Sequence, residues 1–219
     1  MRGWIMLSEP TQYAMQVDSV MLFIVISSII LLLGVTIAMV YFVIRYSRKR
    51  NPNPENIHGN TALEITWIVI PTILVLIMFY MGYTLFTDSR KVPDGAMNVK
   101  VTGRMWSWEF EYSTGKKSDT LYLPQGKSVK LNLFSSDINH ALFIPDFRIK
   151  EDIISGRKNY FVIKPEKIGT YDIACAEYCG LNHSKMYTKL IVLTNYDFDR
   201  WVNSENSKSK IDSTGKVLN

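Results

Sequence analysis

The sequence predicts a two-helix transmembrane hairpin followed by an all-β Greek-key barrel or sandwich. Three observations carry this. Two long runs without a charge fall within the first 86 of 219 residues. The more polar remainder holds short apolar stretches separated by turn formers, and it shows no helical stretch before about residue 195. Charged residues make up 21% of the chain and aromatics 12%, a balance that excludes a disordered, collagen-like or low-complexity protein.

The first run covers 20–44, and its 25 residues make a helix of about 37 Å, enough to cross a hydrocarbon core of about 30 Å with some tilt. The second covers 65–86, 22 residues or about 33 Å, with Pro71 near its start, where a missing N–H costs least. Neither has a polar face to offer water, so two buried helices of a soluble core is the weaker reading. Arg45, Arg48, Lys49 and Arg50 follow the first run against one acid, Glu55, which assigns the short loop between the spans to the cytoplasmic side. Residues 1–19 lack the basic, apolar, small-residue order of a cleavable signal and are expected to be an outer tail ahead of a retained span. The expected divisions are therefore 1–19, a hairpin at 20–87, an exported domain at 88–195 and a tail at 196–219.

In the exported part Trp106, Trp108, Phe110 and Tyr112 alternate strictly, after Val99 and Val101. Further strands are expected at 120–123, 128–134, 141–144, 159–163, 170–174 and 186–193. About seven short strands in about 100 residues read as a Greek-key sandwich or barrel. Residues 196–202 read as a short helix, and the Ser-, Lys- and Asn-rich remainder as a tail.

Chemistry concentrates at 175–186, Cys-Ala-Glu-Tyr-Cys-Gly-Leu-Asn-His-Ser-Lys-Met, which holds both cysteines of the chain, one of its three histidines and a methionine. Two thiolates, an imidazole and a thioether are the soft donor set that selects copper; a zinc site rarely uses methionine. His140, 35 residues upstream, offers a second imidazole. The plain alternative is a disulfide between Cys175 and Cys179, the ordinary state of two cysteines in an exported domain, although so short a loop gains least from being closed. Met186 or His140 alone would more often be core, and His58 reads as solvated.

The segment from Cys175 to Met186 resembles the binuclear copper loop of cytochrome c oxidase subunit II. The resemblance covers about residues 20–194 and includes Leu63-Glu64-Ile65-Thr66-Trp67 before Pro71, Gly103-Arg104-Met105-Trp106-Ser107-Trp108, and Asp137-Ile138-Asn139-His140 leading to Pro145 and Gly156-Arg157. It implies a cupredoxin-like Greek-key barrel in which Cys175 and Cys179 bridge two copper ions. His140 and His183 each bind one copper, and Met186 and the backbone carbonyl of Glu177 are weak outer ligands. It further implies that Trp106, expected to be exposed on a loop or strand end near the copper, receives electrons, and that Glu64 at the edge of the second span takes up protons. Glu177 would also offer its carboxylate to a magnesium ion shared with the catalytic subunit. Trp108 and Tyr112 read as packing.

The function implied is that of an oxidase subunit taking electrons from a c-type cytochrome, soluble or part of a membrane complex, and passing them to the haem-bearing subunit I, which reduces oxygen with linked proton translocation. Its partners would be the other oxidase subunits, that cytochrome and membrane lipid, with no nucleic acid, in a respiratory membrane of the bacterial inner-membrane kind, copper domain outside. Quinol oxidase subunit II shares the architecture but loses the copper ligands. A membrane-anchored copper-binding or copper-delivery module would need only the soft ligands, and a disulfide-bearing structural domain would need none. The family's usual donor is a basic cytochrome c steered to acids, yet residues 88–219 carry 20 Lys and Arg against 16 Asp and Glu. Acids such as Glu109, Glu111, Asp146, Glu151 and Asp152 can still gather locally, and a permanently associated membrane cytochrome is the other donor this charge balance leaves open.

Overall fold

The computed structural model describes residues 10–53, 56 and 58–204. Residues 15–88 form one compact unit, and the described parts of Met1–Ala14 and Ser89–Asn219 form another.

The first unit holds most of two helices, α1 (Gln12–Arg45) and α2 (Thr61–Arg90), whose residues 12–14 and 89–90 belong to the second unit. Both begin earlier than the apolar runs because a capping side chain precedes each. The Thr11 hydroxyl accepts the Ala14 N–H at 3.0 Å, and the Asn60 side-chain carbonyl accepts the Leu63 N–H at 3.1 Å. Residues 12–19, expected in an outer tail, are therefore helical, and Glu64, expected just ahead of the second span, sits in the first turn of α2. Pro71 is likewise inside the helix rather than near its start. The neighbouring Thr72 hydroxyl donates to the Ile68 carbonyl one turn back at 2.7 Å. Large apolar side chains such as Leu32, Val35, Ile68 and Phe79 are exposed around both helices, the surface that lipid rather than water requires.

The second unit is a β-sandwich. Its strands are β1 (Met97–Arg104), β2 (Ser107–Tyr112), β3 (Lys117–Ser118), β4 (Leu121–Pro124), β5 (Val129–Ser135), β6 (His140–Ile144), β7 (Ile149–Ile153), β8 (Asn159–Ile163), β9 (Gly169–Cys175) and β10 (Tyr187–Leu193). One sheet runs β3-β2-β1-β5-β8 and the other β4-β10-β9-β6-β7. Parallel pairing of β1 with β5 and of β10 with β4 interrupts otherwise antiparallel order and gives the Greek-key crossing. The strand alternation buries Val99, Val101, Trp108, Phe110, Leu131 and Leu133 from one sheet against Leu142, Ile144, Ile173, Leu190 and Val192 from the other. Trp106, expected on a loop or strand end, lies in the β1–β2 turn.

A third helix, α3 (Asn195–Asn203), follows β10, capped by the Thr194 hydroxyl, which accepts the Asp197 N–H at 3.1 Å. Trp201 stacks on Tyr122 with ring centroids 4.2 Å apart, and Phe198 is buried beside Tyr112. The expected helix at 196–202 is thus a packed element of the domain; residues 205–219 of the expected tail lie outside the described residues.

Candidate metal centre

Strand pairing explains how residues distant in sequence meet. β6 and β9 pair with Leu142 opposite Cys175, and the Ala176 N–H donates to the Ala141 carbonyl at 3.1 Å, so the start of β6 lies beside the end of β9. His140 is the first residue of β6 and Cys175 the last of β9. The Cys175 N–H donates to the Met186 carbonyl at 3.1 Å and closes 175–186 into a loop between β9 and β10. Within it, Gly180 takes φ +104°, a conformation that disfavours other residues, and the His183 N–H donates to its carbonyl ahead of the single helical turn His183–Lys185.

The donor atoms converge. The Cys175 and Cys179 sulfurs are 3.8 Å apart, far beyond the roughly 2.0 Å of a disulfide, and both thiols are free and buried. Cys175 Sγ lies 3.8 Å from His140 Nδ1 and 3.3 Å from the Glu177 carbonyl oxygen. Cys179 Sγ lies 3.5 Å from His183 Nδ1 and 3.8 Å from Met186 Sδ. Each thiol therefore faces a different imidazole, and the two thiols are common to both halves. His140, Cys175 and Cys179 offer ligand atoms within 4.8 Å of one another. All six expected copper donors are brought together, and this soft, mostly buried set fits copper and does not resemble an oxygen cage for a hard cation.

Burial, together with the hydrogen bond to Cys175 and the charges of Cys175 and Asp137, pushes the Cys179 thiol up to about 11. The metal-free thiol thus keeps its proton at neutral pH, and a metal must displace it. Asp137 moves the other way. Burial opposes its ionisation, but the Met105 N–H, His140 and the Ile138 N–H together outweigh that and lower its pKa.

Both indoles of the Trp-x-Trp pair donate to this loop. Trp108 Nε1 donates to the Met186 carbonyl at 3.4 Å from a buried position, in keeping with its reading as packing. Trp106 Nε1 donates to the Cys179 carbonyl at 3.0 Å, and its ring lies over Gly180, about 3.5 Å from where a Cβ would stand. Trp106 was expected to be exposed but is half-buried, because the ring is laid against the loop. Around it, Tyr178 is 77% exposed, Leu181 86% and Met105 46%. The Glu177 carboxylate faces solvent. Glu64 belongs to the helical unit, and His58 is exposed as expected.

Two contributors were not legible in the sequence. Asp137 Oδ1 is 2.8 Å from His140 Nε2; its spacing three residues ahead of His140 was the signal. Gly103 leaves room for the His140 and Trp108 rings, whose carbons lie 3.2 and 3.3 Å from where its Cβ would be. Four of the acids considered for donor steering are ion-paired. Glu109 pairs with Lys117 at 3.0 Å, Glu111 with Lys100 at 3.6 Å, Glu151 with Arg90 at 2.9 Å and Asp152 with Lys150 at 2.9 Å.

Comparison with known proteins follows this geometry. A profile described as Cytochrome C oxidase subunit II, transmembrane domain, matches residues 8–84, and one described as its periplasmic domain matches residues 116–194. Cytochrome c oxidase subunit 2 of Alkalihalophilus pseudofirmus is 32% identical over 197 residues, covering 84% of this chain and 57% of that protein. Probable cytochrome c oxidase subunit 2 of Rickettsia bellii is 28% identical over 191 residues, 77% of this chain and 71% of that one. The solved periplasmic domain of subunit II of cytochrome oxidase from Bradyrhizobium japonicum is 28% identical, covers 51% of this chain and 94% of its own, and gives a TM-score of 0.48. The chain spans a little over half the length of the first of these relatives.

Proposed function

Because the chain belongs to the cytochrome c oxidase subunit II family, we propose that it is the electron-accepting subunit of a haem–copper terminal oxidase, taking electrons from a c-type cytochrome at a binuclear copper centre. The electrons would pass to the haem-bearing subunit I, where oxygen is reduced to water with linked proton translocation. The observation that carries this reading is the pair of free, buried thiols 3.8 Å apart, each facing its own imidazole nitrogen.

Bound there, a copper pair supplies reversible one-electron chemistry. The protein's own residues do the rest. Cys175 and Cys179 would hold the copper pair through their thiolates and His140 and His183 through their imidazoles, with Met186 and the Glu177 carbonyl as further donors. Burial of His140, Cys179 and Met186 keeps water from the donor atoms. The indole N–H groups of Trp106 and Trp108 pin the carbonyls of Cys179 and Met186, so the 175–186 loop is held in its middle and at its end. A held frame limits rearrangement when charge changes, which favours electron transfer over bond chemistry.

Trp106 presents a half-buried π-surface beside the exposed side chains of Tyr178 and Leu181, with its indole N–H on the Cys179 carbonyl, and it is the assigned point of electron input. Replacing it with Phe is expected to slow reduction by a c-type cytochrome at least tenfold while leaving the copper absorption unchanged; an unchanged rate would remove that role. The solvent-facing carboxylate of Glu177 is the assigned ligand for a magnesium ion shared with the catalytic subunit. Glu64 is the assigned proton-uptake residue, and in Glu64→Gln the oxidase activity of the assembled complex is expected to fall and change its pH dependence. The assigned orientation puts the Arg45–Arg50 loop on the cytoplasmic side. A copper-binding or copper-delivery module is the competing reading, and it predicts metal binding with no response of cytochrome oxidation to Trp106.

A further inference from the structure

His140 has two ring nitrogens with different neighbours. Nδ1 faces Cys175 Sγ at 3.8 Å, and Nε2 faces Asp137 Oδ1 at 2.8 Å. An ionised carboxylate can only accept, so Nε2 carries the ring proton and Nδ1 keeps a free lone pair directed at the thiol. The same Oδ1 accepts the Ile138 N–H at 2.7 Å, while Oδ2 accepts the N–H of Met105 at 2.7 Å. Met105 precedes Trp106 in the β1–β2 turn, and Trp106 in turn donates to the Cys179 carbonyl. One carboxylate therefore joins a ligand imidazole to the turn that carries the input indole. The joined groups form a closed circuit from Cys175 through His140, Asp137, Met105 and Trp106 back to Cys179.

We propose that Asp137 is a positioning residue that sets the ring tautomer of His140 and holds the Trp106 turn in register with it, so that the copper-ligand geometry and the electron-input geometry are fixed by one side chain. The role goes beyond gluing the β5–β6 loop. That loop is also held without the carboxylate, by the Ser135 hydroxyl donating to the Ile138 carbonyl and by the Ser136 N–H donating to the Gly103 carbonyl at 3.1 Å. Asparagine at 137 has one acceptor oxygen in place of two, so it cannot serve both His140 Nε2 and the Met105 N–H through separate oxygens. Partners of this kind behind a ligand histidine change metal affinity by about 10–100-fold when removed.

The consequence for electron input rests on the copper reading above, but the first readout is metal-free. Nitrogen-15 NMR of the full-length, copper-free protein in detergent is expected to show His140 protonated at Nε2 and bare at Nδ1. In Asp137→Asn the His140 tautomer should become mixed and the Trp106 indole N–H resonance should move as well. Copper binding should weaken about tenfold, and reduction by a c-type cytochrome should slow more than reduction by a small-molecule reductant. Asp137→Glu, which keeps two acceptor oxygens, should restore part of both effects.

A wild-type His140 protonated at Nδ1 would overturn the proposal and needs no variant to be observed, so it still decides if Asp137→Asn does not fold. An Asp137→Asn protein in which the Trp106 resonance stays in place would also overturn it. If the wild-type chain binds no copper, the functional reading fails while the tautomer measurement stands.

Discussion

His140 illustrates how the site depends on what does not touch metal. Its ring fits because Gly103 lies behind it; a methyl group there would meet His140 Cδ2 at 3.2 Å and Trp108 Cζ3 at 3.3 Å, tighter than ordinary contact. Gly103→Ala is expected to cost about 1–3 kcal/mol of stability through overpacking and to weaken copper binding, measured by denaturant unfolding and metal titration of the same protein. The copper-loop donors are legible in the sequence because they lie within twelve positions of one another. His140 is legible from spacing as a second imidazole and as a ligand through the resemblance alone, since β6–β9 pairing brings it in. Asp137 is not legible as a partner, because its role rests on which oxygen faces which donor. Trp106 is legible as lying on a loop or strand end, but the partial burial of its ring against Gly180 is not, because the close approach of the 175–186 loop to the β1–β2 turn is a tertiary contact.

At the scale of elements, the strands missed by sequence reading are β3 and β7. β3 is two residues long. β7 reads Ile-Lys-Glu-Asp-Ile, three consecutive charges that look like a loop, yet Ile149 and Ile153 are buried. Its central Glu151, 11% exposed at the side chain, is taken up by the Arg90 guanidinium through both oxygens, at 2.9 and 3.0 Å, with Asn159 donating at 2.6 Å. Arg90→Ala is therefore expected to destabilise the domain by about 1–3 kcal/mol, read by thermal unfolding, because it leaves a mostly buried carboxylate without its cation.

The β2–β4 link is a second such device. The Tyr112 hydroxyl donates to the Tyr122 carbonyl at 3.0 Å and accepts the Tyr122 N–H at 2.7 Å. Burial pushes the Tyr112 phenol above its ordinary value of 10.0, more than the hydrogen bond to the Tyr122 backbone lowers it, so folding favours the neutral form. With the folded value above the unfolded one, this contribution is fully present below pH 10 and is lost as pH rises further through the folded value. Tyr112→Phe should cost about 1–2 kcal/mol at neutral pH and flatten part of the alkaline loss seen in unfolding curves measured across that range.

Over the whole molecule, the division into an apolar hairpin and a β-sandwich was readable from the distribution of apolar residues, because each solvent imposes its own pattern. The charge pattern was readable in total but not in arrangement. Residues 88–219 carry 20 cations against 16 acids, and four of the five acids considered for steering a basic donor are ion-paired. Electron input is accordingly expected to depend weakly on ionic strength, and stopped-flow reduction by a basic cytochrome c between about 10 and 200 mM salt, where screening length falls from about 30 to below 8 Å, should change by less than about threefold. A steep fall with salt would restore an acidic docking face.

The account stands or falls on the thiol pair, and copper content with electron paramagnetic resonance of the purified, reconstituted chain tests it most directly. Two coppers per chain, with a mixed-valence signal shared over both and absorption reaching the near infrared, is the expected result. One copper per chain, or none together with a bond between Cys175 and Cys179, would contradict it.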